Sequence, residues 1–468
     1  MPRPLPLKEL TREALRAFTR DGSPRWRSTA AVFTSMSALA ATSLLPGPAL
    51  AEPRSDLCAL KRTAAHHSEG VDTWNAAYTR PTRALDAVMV FLSFPDSEPQ
   101  TTPAELTADY FPATSDFFER ASYGRFTLRP HPGHDWIRMP HASTSYAIQR
   151  DWNSAHRAAY LRDALAVADA RIDFSRYDIV YFVADPDAPG VDSDATKVVN
   201  LDAPMRADGK DIRRVVTVFE KHPPDRLVLA HETGHIFDLP DLYHRPVDGK
   251  GDWDTYVGDW DLMGSQFGLA PDLFGWHKWK LGWLDPRQVA CVRGRGSTRL
   301  TLEPLSAGPA TVGEAGAPAS VLRSGTGSGS GSGSGSGAGG FSGSGGSRTS
   351  GAQSFGSGRG TKLAVARTGP DTVLAFEARG SAGNDGSTCT QGVLVYRVRS
   401  EAESGRGPIE VLDAHPHSES CWEDSVYPPL ADAPVALGES FTVPGENVRI
   451  EVEDRTATGA WTVKITTG

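Results

Sequence analysis

The stretch His231-Glu232-Thr233-Gly234-His235 places two imidazoles four residues apart, with a carboxylate next to the first of them. On an α-helix, residues four apart lie about 40° from each other around the axis, so both imidazoles can reach one metal ion. Glu232 projects from a neighbouring face, where it can meet a water molecule beside the ion instead of binding the ion itself. This spacing predicts a helical zinc site with Glu232 as the general base of a hydrolase.

A catalytic zinc site uses three protein ligands and leaves a fourth position open. Asp241 lies ten residues after His231. Because Pro240 disfavours helical backbone at the residue before it, the chain is expected to turn there and bring Asp241 back toward the metal. Asp241 is therefore the predicted third ligand. Four other side chains remain alternatives in that role, or are ordinary loop residues: Asp238, His244, Asp259 and Asp261.

This arrangement resembles the metzincin pattern HExxHxxGxxH/D, with Asp at the last position. Asp238 stands where that pattern has Gly, a residue that permits a left-handed backbone. Asp is among the few other residues that tolerate such a backbone, at a cost of about 1–2 kcal/mol. Downstream, Met263 lies within WDLMGS and is predicted to form the Met-turn, the tight loop beneath the zinc of metzincins.

Three segments, HETGHIFDLPDLY, WDLMGS and WHKWKLGWLDP, together resemble the immune inhibitor A family of secreted metallopeptidases, the M6 family. ERASYGRFTL upstream and QGVLVYRV downstream are similar to further segments of that family. The resemblance extends over roughly residues 84–468 and is strongest over 225–287. It implies a zincin-like catalytic domain, one zinc ion, protein or peptide substrates and often bound calcium. It assigns these roles: His231, His235 and Asp241 as ligands, Glu232 as base and Met263 as the turn.

The first 51 residues have the features of an export signal. Basic residues precede an uncharged stretch over 29–45, and Ala49-Leu50-Ala51 matches the small-residue cleavage pattern. The stretch is rich in Ser, Thr and Ala and shorter than a membrane span, so cleavage is favoured over anchoring. Residues 52–83 show little periodicity and are interpreted as either a short pro-segment or an extended arm.

Charge and cysteine content indicate a secreted, extracellular protein. The whole chain has a formal net charge of −9, and residues 1–51 contribute +4, so the remainder carries −13. Such an acidic chain argues against nucleic acid as a partner and against stable attachment to an anionic membrane. Cys58, Cys291, Cys389 and Cys421 lack zinc-site spacing and are expected to form two disulfides. The preferred pair is Cys389 with Cys421, because both lie in the last third of the chain.

Hydrophobic patterns predict an α+β protein with a zincin-like catalytic domain over residues 84–290. Its predicted elements are buried strands at 85–94 and 179–183 and helices at 115–122 and 154–171. Ser115 and Ser154 are the expected N-caps of these helices. The motif helix is expected to begin near residues 223–225 and to pack beneath a mixed sheet.

A β-rich domain is predicted over residues 291–468. Short alternating segments indicate strands at 299–303, 361–366, 373–378, 393–398, 448–452 and 461–465. A sandwich is the expected arrangement. Residues 324–360 form a low-complexity Gly/Ser tract that cannot be ordered by burial, so they are interpreted as a linker or exposed loop.

Other residue groups leave two interpretations open. Acidic side chains are concentrated in two turn-rich segments: Asp185, Asp187, Asp192 and Asp194, and then Asp248, Asp252 and Asp254. They can bind Ca²⁺, but they match no EF-hand, so solvated loops are favoured.

Trp276, Trp279 and Trp283 recur at helical spacing and predict a stripe facing the core. Tyr243 and Tyr256 are equal candidates for polarising a scissile carbonyl.

Together these features predict a secreted zinc endopeptidase that hydrolyses peptide bonds through metal-activated water, with Glu232 as general base. The β-rich domain would assist substrate binding or stability. One alternative is a catalytically degenerate zincin-fold protein that binds surfaces, although the intact His231, Glu232 and His235 argue against it. Zinc-dependent hydrolysis of a substrate other than a peptide is a third interpretation.

Overall fold

The computed structural model describes residues 54–225, 227–246, 249–308, 360–418 and 420–468, which all belong to one compact unit. The predicted signal segment, Asp248 and all of the Gly/Ser tract except Gly360 lie outside the described residues. Their predicted roles therefore stay predictions.

The first group of elements consists of β1 (Ala84–Ser93), α1 (Pro103–Tyr110), α2 (Ala113–Ala121), β2 (Thr127–Pro132), β3 (Ile137–Arg138), α3 (Ser154–Asp169), β4 (Ile179–Ala184), β5 (Lys197–Ala207), β6 (Lys210–Val218), α4 (Val228–Ile236) and α5 (Gly275–Lys280). The second group consists of β7 (Val289–Val292), β8 (Gly296–Leu302), β9 (Leu363–Arg367), β10 (Thr372–Arg379), β11 (Gly392–Arg399), β12 (Ile409–Val411), α6 (Pro428–Ala431), β13 (Ser440–Thr442), β14 (Val448–Arg455) and β15 (Trp461–Thr467). Several sheets with few helices confirm the α+β class.

A mixed six-stranded sheet organises the first group, with the strand order β2-β1-β4-β6-β5 and with β3 pairing beside β1. The strands β2, β1, β4 and β6 are mutually parallel, whereas β5 is an antiparallel edge strand. Along β1, Met89 and Phe91 belong to the core on one face, and Val88 and Val90 belong to the core on the other. The apolar run is therefore a strand buried on both faces, as predicted.

Helices cover both faces of this sheet. The core on one face includes Tyr160 and Leu161 of α3, and the core on the other face includes Leu229 and Ile236 of α4. The motif helix thus packs against the sheet, next to β5 and β6.

Both predicted N-caps are wrong. The cap of α3 is Asn153, whose side chain accepts hydrogen bonds from two backbone amides of the first turn, so Ser154 is already inside the helix. Helix α2 begins at Ala113, and the hydroxyl of Ser115 instead donates to the carbonyl of Leu128 at 2.8 Å. Asn caps a helix as well as Ser does, so the sequence alone does not separate neighbouring candidates.

Two further sheets form the second group, with the orders β12-β11-β10-β9-β7 and β13-β14-β15-β8. Neighbouring strands are antiparallel except β7 and β9, which are parallel. The sheets share a core that includes Phe376, Ile450 and Val463. The β-rich character predicted after residue 291 is confirmed, and a separate core cluster joins Leu85 of the first sheet to Leu363 of the second.

The cysteines form two disulfides, Cys389–Cys421 and Cys58–Cys291. The preferred pairing is confirmed, and the other bond ties the N-terminal arm (residues 54–83) to β7. Both bonds are compatible with an extracellular location. Across the described residues, no helix combines the length and the apolar character that crossing a bilayer requires.

The tryptophan stripe faces the core as predicted, although α5 ends before its last member. Trp276 and Trp283 are fully buried, and Trp279 is partly buried. Two of these tryptophans also hold the N-terminal arm. The indole N–H groups of Trp276 and Trp283 donate to the backbone carbonyls of Glu69 and Pro81.

Candidate metal centre

The motif lies on α4, a nine-residue helix whose side chains are all buried. The helix begins at Val228, later than the predicted start near residues 223–225. The reason is Leu227, whose φ of 57° places it in the left-handed region and interrupts helical geometry. His231 and His235 are each only 6% exposed.

Backbone carbonyls fix the orientation of both imidazoles. The Nδ1 of His231 lies 2.9 Å from the carbonyl oxygen of Leu262, and the Nδ1 of His235 lies 2.8 Å from that of Leu239. A carbonyl oxygen only accepts hydrogen bonds, so each Nδ1 carries the proton and each neutral ring keeps the lone pair of Nε2 free. This is the arrangement found around histidines that bind metal.

The two free nitrogens converge on one oxygen of Asp241. Its Oδ1 lies 3.0 Å from His235 Nε2 and 3.4 Å from His231 Nε2. Ligands of a tetrahedral Zn²⁺ with bonds near 2.05 Å lie about 3.3 Å apart. All three ligand atoms lie within 4.8 Å of one another. Their chemistry and spacing therefore fit a divalent metal ion.

Partners from distant parts of the chain orient Asp241. Ser404, which follows β11, donates from its hydroxyl to Asp241 Oδ2 at 3.1 Å and accepts from the Asp241 backbone amide at 2.8 Å. Burial raises the pKa of the Tyr243 hydroxyl, and that side chain lies close enough to the carboxylate for the negative charge to raise the pKa further. These contacts leave Oδ1 directed at the imidazoles, and no feature of the sequence indicated Ser404.

Two of the alternative third ligands are engaged elsewhere. Asp238 is fully buried, with its oxygens 2.6 Å from the guanidinium of Arg62 and 3.0 Å from Nδ1 of His67. His244 lies 3.2 Å from the hydroxyl of Tyr256. Neither belongs to the group that can hold the ion.

The other two alternatives organise loops. Asp259 accepts hydrogen bonds from the hydroxyl of Ser425 and from two backbone amides. Asp261 accepts from the amide of Met263 at 2.8 Å, and its carbonyl oxygen accepts from Gly264. Asp261 thereby closes the tight turn that carries Met263.

Met263, the residue of the predicted Met-turn, packs against the motif helix at Gly234. Its side chain is fully buried, and its carbonyl oxygen accepts from the amide of Leu242, one residue after Asp241. The preceding carbonyl, of Leu262, is the partner of His231. The turn therefore contacts both the first ligand and the loop of the third.

Gly234 provides the space that Met263 occupies, since a Cβ at Gly234 would lie 2.5 Å from the sulfur of Met263. We expect overpacking in Gly234→Ala to destabilise the protein by about 1–3 kcal/mol. The higher helix propensity of Ala offsets about 1 kcal/mol of this loss. Urea unfolding of Gly234→Ala, Met263→Ala and the double variant measures this. If overpacking is the cause, the double variant should lose less unfolding free energy than the two single variants lose together. Strictly additive losses would contradict overpacking.

The electrostatics of the ligands reflect their mutual contact. Burial by itself lowers the pKa of His235, but the Asp241 carboxylate outweighs it and raises that pKa to about 9. Burial opposes ionisation of Asp241, yet the imidazoles hold its pKa well below the usual range. A metal ion and the proton that His235 carries below this pKa compete for the same lone pair on Nε2. Metal binding therefore releases that proton.

Glu232 adjoins the ligands and lines an open cleft of about 550 Å³ that also exposes His231 and Tyr243. Its Oε2 accepts a hydrogen bond of 2.6 Å from the amide of Val198 on the edge strand β5. Burial raises the pKa of the Glu232 carboxyl, although the two imidazoles oppose this effect. A carboxylate of raised pKa is a stronger base near neutral pH.

The structure separates the two tyrosine candidates. Tyr243 lines the cleft, and its ring stacks on His231 with centroids 6.3 Å apart. Burial raises its pKa, so the hydroxyl stays protonated and can donate. Tyr256 contacts His244 instead and does not line the cleft.

A buried charge cluster supports the Met263 turn from below. His277 is fully buried, with Nδ1 3.1 Å from Asp261 and Nε2 2.8 Å from Glu69. Burial by itself lowers the pKa of His277, but the two carboxylates outweigh it and raise the pKa to about 9. Both ring nitrogens thus donate, and the imidazole is charged near neutral pH.

We expect this charged imidazole to make stability depend on pH. Because the folded pKa lies above the unfolded value of 6.5, its contribution is complete below pH 6.5 and is lost as the pH rises through about 9. The full loss is on the order of 3 kcal/mol. Thermal unfolding of the chelated protein between pH 6.5 and 9.5 measures it. His277→Gln should make the profile shallower but not flat, because His235, whose pKa is also about 9 in the metal-free protein, contributes over the same range. Identical slopes in the two proteins would contradict the assignment.

One other group of described residues brings potential ligands together, namely Asp413, His415 and Asp432. Both ring nitrogens of His415 already have partners, the carbonyl oxygen of Asp432 and the carboxylate of Glu439. The described carboxylates for which calcium binding was the less favoured interpretation belong to neither group: Asp185, Asp187, Asp192, Asp194, Asp252 and Asp254.

No protein-family model matches the chain, and no curated protein matches it either. The function is therefore inferred from the geometry of the metal centre and from the chemistry of its residues.

Proposed function

We propose that this protein is a secreted zinc-dependent endopeptidase with a zincin-like catalytic domain, similar to the immune inhibitor A family. One observation carries the proposal. The Nε2 atoms of His231 and His235 lie 3.4 and 3.0 Å from one oxygen of Asp241, next to Glu232, which lines an open cleft. Two imidazoles and one carboxylate form a donor set typical of catalytic zinc.

A zinc ion held by these ligands would polarise the scissile carbonyl and lower the pKa of a neighbouring water molecule to about 7. Glu232 accepts the proton of that water and later donates it to the amine that leaves. The amide of Val198 fixes one oxygen of Glu232, so the carboxylate is positioned before substrate binds. Such a fixed position reduces the entropy lost on reaching the transition state.

Tyr243 is suited to assist at the carbonyl. Its hydroxyl stays protonated, and its ring lies nearly parallel to that of His231, with centroids 6.3 Å apart. A donor held at the edge of the centre can stabilise negative charge on the carbonyl oxygen as the tetrahedral species forms. Tyr243 is therefore our candidate for this role.

The cleft has room for a peptide and apolar surface to receive it. Besides Glu232 and His231 it is lined by Phe267, a ring that is 48% exposed. An exposed aromatic at the rim offers apolar contact to a substrate side chain. The intact ligand set beside an open cleft also argues against the alternative of a catalytically degenerate zincin-fold protein that serves only in adhesion.

Casein hydrolysis with and without a chelator tests the proposal. We expect chelation to lower the rate at least a hundredfold, because His231, His235 and Asp241 would then hold no ion. Stoichiometric Zn²⁺ should restore the rate, whereas Ca²⁺ alone should not. Full activity of protein whose metal content lies well below one ion per chain would overturn the proposal.

A further inference from the structure

We propose that residues 58–70 of the N-terminal arm are a permanent part of the metal centre, which they position through Asp238 and Asp261, and are not a removable pro-segment. The inference rests on the proposed metal centre. It concerns how the loops that carry the ligands are held.

The first contact is made at Asp238, which lies between the ligands His235 and Asp241. Arg62 and His67 hold its two oxygens separately, at 2.6 and 3.0 Å. The carbonyl of the next residue, Leu239, is the one that fixes the imidazole of His235. An arm that holds Asp238 therefore holds the segment that orients one ligand and leads to the other.

Backbone strain indicates that this contact is needed. Asp238 has a φ of 66° and His67 a φ of 58°, so both partners adopt the left-handed region. Such a conformation costs non-glycine residues about 1–3 kcal/mol each and persists only where surrounding contacts impose it. Here the contacts come from the arm, and strain of this kind concentrates at functional sites.

The second contact is made beneath the Met263 turn. Glu69 is fully buried and lies 2.8 Å from His277, which in turn contacts Asp261, the residue that closes the turn. Lys280 also reaches Glu69, at 3.4 Å. A continuous chain of charged groups thus runs from the arm to the loop whose Leu262 carbonyl orients His231.

The arm is itself anchored as a permanent component. The Cys58–Cys291 bond joins it covalently to β7. The hydroxyl of Ser68 donates to the carbonyl of Ser400 at 2.6 Å. Removal of the arm would expose this surface and leave buried Lys280 and His277 without Glu69, which is strongly destabilising.

Zinc affinity of the full secreted chain tests the inference, measured by competition with a chromophoric chelator. We expect His67→Asn and Asp238→Asn to weaken Zn²⁺ binding about 10–100-fold. Losses of this size are typical when residues that support the metal ligands are replaced. Asn tolerates the left-handed backbone, so Asp238→Asn keeps the local fold. The matched control is His134→Asn, at an exposed position outside the arm, which should stay within about twofold of wild type.

Melting temperatures in the presence of chelator separate positioning from general stability. A variant that melts earlier without metal but binds Zn²⁺ as tightly as wild type would overturn the inference. If His67→Asn does not fold, Arg62→Gln takes its place, since that side chain is partly exposed. Mass spectrometry of the active protein should also find an N-terminus before Cys58, and active protein that lacks residues 58–70 would overturn the inference.

The outcomes for the arm and for the proposed function are distinguishable. Wild-type protein that binds one Zn²⁺ but cleaves no casein would refute the endopeptidase and leave the positioning role intact. Wild-type protein that binds no Zn²⁺ would refute both.

Discussion

Glu232→Gln is expected to lower kcat for peptide hydrolysis by about 10²–10⁴-fold while one Zn²⁺ remains bound per chain. The amide has the shape of the carboxylate but cannot take a proton from water. The ligands His231, His235 and Asp241 are unchanged, so metal content should not fall. Steady-state kinetics on casein or a quenched fluorescent peptide, together with metal analysis of the same sample, measures both quantities.

Glu98→Gln is the matched control, because this carboxylate is 86% exposed and does not line the cleft. It should retain wild-type kinetics. If Glu232→Gln kept more than about a tenth of wild-type kcat, the residue would not be the general base. Loss of zinc from the variant would instead make Glu232 part of the binding site.

Asp241→Ala is expected to weaken zinc binding by more than a hundredfold and to abolish hydrolysis at ordinary zinc concentrations. Loss of outer partners of a ligand costs about 10–100-fold in affinity, and loss of the ligand itself should exceed that range. The variant keeps both imidazoles, whose Nδ1 atoms remain bonded to Leu262 and Leu239. Competition with a chromophoric chelator gives the affinity directly.

The control for this substitution is Asp135→Ala, an exposed carboxylate with no hydrogen-bond partner among the described residues. Its zinc affinity should equal that of wild type. A loss smaller than tenfold in Asp241→Ala would exclude Asp241 as a ligand. The structure would then have to provide a third donor by moving another side chain into the centre.

Elements whose patterns are strong and local could be predicted from the sequence. The apolar run that became β1 lies between helices on both faces of its sheet, so all positions from Ala87 to Ser93 are buried and no alternation is visible there. Helix α3 was likewise recognised from its apolar spacing, with an error of one residue at its cap. The His231 motif is also local, because its geometry follows from one turn of helix.

The hairpin of β5 and β6 was missed although a signal was present. Asp208 and Gly209 connect the strands with φ values of 49° and 74°, which is the two-residue turn that Asp-Gly favours. Charged residues interrupt the strands around it and hid the alternation. The omission matters, because β5 supplies Val198, the backbone partner of Glu232.

The supporting contacts of the centre could not be predicted because they depend on the tertiary fold. Ser404 reaches Asp241 from 163 residues away, and His67 reaches Asp238 from 171 residues away. The loop expectation at Asp238 was sound, since that residue does adopt a left-handed backbone. The contacts that compensate for this backbone conformation depend on how the arm packs.

The Cys58–Cys291 bond has a practical consequence for anyone who makes this protein. It links positions 233 residues apart, so the closed ring contains the entire motif helix and the Met263 turn. A ring of that size removes about 5 kcal/mol of chain entropy from the denatured ensemble. Recombinant material should therefore be produced in an oxidising compartment, and thiol reductants in storage buffers would act as slow inactivators.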